Sequence, residues 1–74
     1  MFSELLDTHN IKVFDNDGIF IPTTFSKIDG AIWYSNIELG AGEHPEFGKN
    51  PQAFDTWLSR MLKEFKFSIE VKAR

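Results

Sequence analysis

The residues best equipped for chemistry gather in Gly40 to Asn50, GAGEHPEFGKN, where Glu43, His44 and Glu46 lie almost side by side. Two carboxylates and an imidazole are donors that zinc accepts, and His9 could complete the set if the fold brought it near. Their spacing fits no compact metal motif, so the expectation is no metal and no cofactor. Asp15, Asp17 and Gly18 share part of a calcium-loop pattern. Aligning Gly18 with that loop's invariant glycine puts Val13 at the first ligand position and Thr24 where a bidentate Glu is required. A plain turn is the better reading. Gly40-Ala41-Gly42 begins like a dinucleotide fingerprint, but the third glycine position holds Pro45 and no helix follows directly.

Catalytic constellations are equally thin. Ser35, Ser59 and Ser68 stand in no nucleophile motif, and the chain has no cysteine. Asp15 and Asp17 share a turn, where neither burial nor a pocket would drive their pKa values apart. A chain of 74 residues also has little room to enclose a substrate once its core is filled. The expectation is a protein that is not an enzyme.

Charge and aromatic content point to binding instead. The net charge is −3, but residues 1–48 hold eight acidic groups against two basic ones, whereas residues 49–74 hold six basic against three acidic. Such asymmetry can mark an interaction surface, or two segments that attract each other inside one domain. Eight Phe, two Trp and one Tyr are many for so small a chain. Interface hot spots favour large aromatics, so Trp33, Tyr34, Phe47 and Phe20 are the candidate anchors, with Glu43 and Glu46 as acidic contacts. Trp57 reads as core.

These residues must be positioned by few elements. Asn50 to Phe65, NPQAFDTWLSRMLKEF, is the one long periodic segment: Phe54, Trp57, Leu58, Met61, Leu62 and Phe65 form a single helical stripe. Asn50 suits the N-cap and Pro51 the first helical position. Arg60 and Glu64 can pair four residues apart, in the less favoured order. Residues 2–8 read as a short helix capped by Ser3, with Phe2, Leu5 and Leu6 inward and His9-Asn10 ending it. Ile11–Phe14 and Ile19–Phe25 read as strands joined by the Asp15–Gly18 turn. Pro22 inside the second demands an edge, a bulge or an early end.

Asp29-Gly30 is a favoured type I′ pair, and a two-residue turn there sets Phe25 opposite Tyr34 and Ser26 opposite Trp33. Phe20, Ala31, Trp33, Ile37 and Leu39 then share one face, while Ile19, Ile21, Phe25, Ile32 and Tyr34 share the other. One helix can cover only one face. Residues 40–50 read as an irregular acidic loop, and Lys66–Lys72 as a final strand with Phe67, Ile69 and Val71 inward.

The fold expected is α+β in a single domain over residues 1–74. It has a short N-terminal helix, a three-stranded antiparallel meander, one long amphipathic helix packed on the sheet, and a C-terminal strand, in the order α-β-β-β-α-β. That order superficially resembles a double-stranded-RNA-binding domain, whose last helix presents bases to phosphates. The first helix here is too short, the charge is negative and the final strand is foreign to that family. Lys49, Arg60, Lys63 and Lys66 nonetheless define the alternative function, nucleic-acid binding.

The preferred expectation is a small protein-binding module, an adaptor or inhibitor of a larger protein, using the sheet-face aromatics and the 40–50 loop. Its size is that of many accessory proteins, those of mobile elements included. A second copy of the chain is one partner to consider. The start, MFSELL, has no basic n-region, and no run approaches the roughly 18 apolar residues of a membrane span, so a cytoplasmic protein is expected.

Overall fold

The computed structural model describes residues 1–38 and 40–74, and its turns explain its sheet. At the first turn the Asp15 carboxylate accepts hydrogen bonds from the backbone N–H groups of Asp17 (2.9 Å) and Ile19 (3.0 Å). Gly18 there takes φ +78°. This joins β1 (His9–Phe14) to β2 (Phe20–Ile28). At the second turn both Asp29 (φ +53°) and Gly30 (φ +78°) are left-handed, the combination a type I′ hairpin requires. It leads into β3 (Ala31–Asn36) with the expected register, Phe25 opposite Tyr34 and Ser26 opposite Trp33.

The expected α-β-β-β-α-β order needs one correction. Residues 40–50 are not wholly irregular: Gly40–Glu43 form β4, antiparallel to β3, with Tyr34 opposite Gly42 and Trp33 opposite Glu43. GAGE has neither β-branched nor aromatic residues, so propensity is silent. What makes it a strand is the otherwise unpaired edge of β3, which needs backbone partners. The last strand, β5 (Ser68–Ala73), pairs antiparallel with β1. Among the described residues the sheet order is β4-β3-β2-β1-β5, so Pro22 lies in the central strand. The β1–β2 register slips there, from Lys12 opposite Thr24 to Phe14 opposite Phe20. That bulge accommodates the missing proline donor.

Helix α2 (Pro51–Lys63) starts as expected, with the Asn50 side chain accepting from the Ala53 N–H at 3.4 Å. It ends sooner. Lys66 is left-handed (φ +57°) and the Phe67 N–H turns back to the Met61 carbonyl, so Phe65 leaves the stripe and is 48% exposed. Helix α1 is shorter than expected, only Phe2–Leu5, with Met1 and not Ser3 at its N-cap. Ser3 is buried, and its N–H and hydroxyl both donate to the Asp55 carboxylate of α2 at 2.8 Å. Two helical turns with no partner are marginal; one turn tied to α2 suffices.

Leu6, Ile11, Val13, Phe25, Ile32, Phe47, Phe54 and Leu58 form the core. Both helices therefore lie on the sheet face that carries Ile11, Val13, Phe25 and Ile32. The C-terminus locks the α1–β1 connection, since the Arg74 guanidinium donates to the carbonyls of Leu6 (2.8 Å), Asp7 (2.7 Å) and Lys27 (3.3 Å). Lys27 pairs with Asp7 at 2.9 Å. Among the described residues no helix is long and apolar enough to cross a membrane.

Candidate functional site

Alternation along β3 sends neighbouring residues to opposite faces, so Trp33 and Tyr34 cannot serve one surface. Trp33 belongs to the face away from the helices, with Phe14, Phe20, Thr24 and Ser26. It is only half-buried there, and Phe20 and Ile28 are 36% and 49% exposed. Phe14 and Phe20 pack ring to ring at 5.6 Å, and the Lys12 ammonium sits 5.8 Å from the Phe20 ring centroid. Between these rings and Trp33 run the small polar residues Thr24, Ser26 and Ser35. The result is a smooth, open face. Two residues expected on it behave otherwise: Ala31 is buried, and Ile37 leaves the strand and is 80% exposed. Leu39 lies outside the described residues. Ile19, expected on the same face as Phe25 and Tyr34, is 63% exposed beside the first turn.

Tyr34 belongs to the covered face, which the helices do not fill. Beyond Trp57 a cleft of about 370 Å³ remains. Its floor is Val13, Ile21, Thr23, Phe25, Tyr34 and Asn36, and its walls are Trp57 on one side and His44-Pro45-Glu46 on the other. The His44 ring stacks on Phe47 (centroids 3.9 Å, interplanar 14°) and meets Tyr34 edge-on at 5.6 Å. Its Nδ1 accepts from the Glu46 N–H at 3.2 Å, which places the imidazole proton on Nε2. Burial holds the His44 pKa below its usual value, and the Glu46 charge partly opposes that. Asn36 donates to the Thr23 hydroxyl at 2.8 Å and accepts from the Glu38 N–H at 2.8 Å.

Phe47, expected as an exposed anchor, is 3% exposed and packs on Phe25, Phe54 and Trp57. The correction has a plain cause: the connection from β4 to α2 crosses the covered face, and its one aromatic fills the gap beside α2. Glu43 and Glu46 are exposed, Glu46 at the cleft and Glu43 opposite Trp33 on the edge strand. Among the basic residues, Arg60 pairs with Glu64 at 3.4 Å. Lys49 and Lys66 lie beyond opposite ends of the thirteen-residue α2, roughly 20 Å apart at 1.5 Å per residue. Arg60 and Lys63 share one surface with Asp55 and Glu64.

No three metal-binding side chains gather among the described residues. His9 sits on β1 with Thr8 as its hydrogen-bond partner at 2.7 Å, whereas His44 follows β4, three strand spacings or about 14 Å away. The sequence does not single out three of the cleft residues: Thr23, Asn36 and Trp57 as a wall. Period-two alternation from Phe25 and Tyr34 reaches Thr23 and Asn36; nothing in the helical stripe distinguishes Trp57 from its neighbours. Compared with protein-family models, curated proteins and solved structures, the chain matches none.

Proposed function

We propose that this chain is a small, non-enzymatic cytoplasmic module that binds another protein, as an adaptor or inhibitor, through the open face of its sheet. The observation that carries the reading is Trp33: a tryptophan half-buried on a face that no helix covers, between exposed Ile28 and exposed Phe20. Large aromatics surrounded by small polar residues are what interface hot spots are made of. Glu43, opposite Trp33 on β4, supplies an acidic rim. Phe47 plays no direct part, being core.

The test is capture of partners from the native cell extract on the tagged chain, with and without nuclease, beside a Trp33→Ala variant. A stoichiometric protein band that survives nuclease and disappears with Trp33→Ala is expected. Bound material that nuclease removes would replace this reading with nucleic-acid binding through Lys49, Arg60, Lys63 and Lys66. Sedimentation at high micromolar concentration decides whether the partner is a second copy.

A further inference from the structure

We infer that the cleft between Trp57 and His44-Pro45-Glu46 receives a basic side chain, arginine or lysine, of the partner protein. This deepens the protein-binding reading and rests on it, but uses the other face of the sheet. The aromatic side chains of Phe25, Tyr34, His44 and Trp57 line the cleft, and cations are held near aromatic rings within about 6 Å of the ring centre. Glu46 is the one formally charged side chain among the described lining residues. No lysine or arginine occurs between Lys27 and Lys49, a stretch holding Asp29, Glu38, Glu43 and Glu46.

The imidazole does not oppose a cation. With Nδ1 accepting from the Glu46 N–H, His44 is neutral, and burial favours that state. Tyr34 adds a hydroxyl that has no hydrogen-bond partner among the described residues, and Asn36 a side-chain amide held by Thr23 and Glu38. The volume, about 370 Å³, lies at the small end of the roughly 300–1,000 Å³ typical of ligand pockets. It suits one long side chain with its head group against a carboxylate, and not a broad flat partner.

The experiment is a titration of the whole chain, followed by backbone and tryptophan-indole NMR shifts, with N-acetyl-arginine amide. The neutral isostere N-acetyl-citrulline amide is the control. Expected are saturable shifts confined to Tyr34, Asn36, His44, Glu46 and Trp57 for the arginine probe and none for citrulline. Glu46→Gln should weaken binding about threefold to fivefold, the worth of one exposed cation–carboxylate contact, while leaving the spectrum elsewhere unchanged. Equal binding of citrulline, no cleft shifts, or an unaltered affinity in Glu46→Gln would each overturn the inference. The two proposals fail separately: cleft binding needs no partner extract, and Trp33-dependent capture needs no probe.

Discussion

Phe25 and Trp33 sit in paired strands of one sheet, on opposite faces, and their surroundings differ completely. Phe25 meets Phe54 at 5.2 Å, Trp57 at 5.4 Å and Phe47 at 6.0 Å, with Ile11 and Tyr34 opposite it on the neighbouring strands. Trp33 touches no other ring among the described residues; its cross-strand neighbours are Ser26 and Glu43. Apolar area on the covered face is removed from water by the chain itself, whereas that on the open face awaits something else. The stability of the fold should therefore reside on the covered face, and the apolar side chains of the open face should contribute little to it.

Truncating each side tests that division most severely. Phe54→Ala should cost about 3–5 kcal/mol, as large-to-small changes of buried aromatics do. A 74-residue chain at roughly 0.05–0.15 kcal/mol per residue has about 4–11 kcal/mol in all, so the urea midpoint of this variant should fall by a large fraction of the parent's. Trp33→Ala should cost about 1 kcal/mol or less. Comparable losses for the two variants would abolish the distinction.

How much of this division was legible in the sequence depends on the residue. The Asp29-Gly30 pair set the β2–β3 register, and the register set the faces, because only a few residue types tolerate two left-handed positions in a row. The apolar stripe of α2 was legible because Phe54 and Leu58 recur at helical spacing. Strand β4 was not: its glycines and alanine pair through backbone alone, and the demand comes from β3, not from Gly40–Glu43. The burial of Phe47 is hidden in the sequence for a related reason. A single aromatic among glycines and charges looks like an exposed anchor until the path of the connection across the core is known. The cleft was half legible, since alternation reaches Thr23 and Asn36 but says nothing about where α2 stops covering the sheet.

A second contrast lies between the apolar packing of the covered face and the buried polar junction of Ser3 with Asp55. Asp55 accepts both hydrogen bonds from Ser3, and no buried polar side-chain atom among the described residues lacks a partner. Asp55→Ala would strand the buried Ser3 hydroxyl and N–H, and hydrogen bonds to a charged group are worth about 1.5–3 kcal/mol. The expected loss is of that size, smaller than for Phe54→Ala. Amide exchange should show where it falls: protection of Ser3 should disappear while that of β2 and β3 follows only the global stability. Uniform loss across the sheet would mean that α1 is integral to the core and not a docked arm.

Turn geometry is worth less again. Gly30→Ala places a side chain at φ +78°, where left-handed strain costs of order 1 kcal/mol. The same substitution at Gly42, which is not left-handed and pairs with Tyr34 in β4, should be nearly neutral. Thermal unfolding of the two variants separates turn chemistry from edge pairing.

The smallest effect concerns the border between cleft and core. Burial lowers the His44 pKa below the usual value near 6.5, so the folded chain binds a proton there less readily than the unfolded chain. Stability from this group is fully present above about pH 6.5 and is lost as pH falls through the folded-state pKa beneath it. His44→Phe keeps a ring to stack on Phe47 and removes the titration. The denaturation midpoint of the parent chain should drop more between pH 7.5 and 5.5 than that of the variant; equal drops would assign the pH dependence to another group. Glu46 works against burial by favouring the imidazolium. In Glu46→Gln the NMR-monitored His44 titration should therefore move to still lower pH. A shift upward would mean that the carboxylate acts on His44 through its position rather than its charge, and the cleft would lose the negative group that a basic side chain needs.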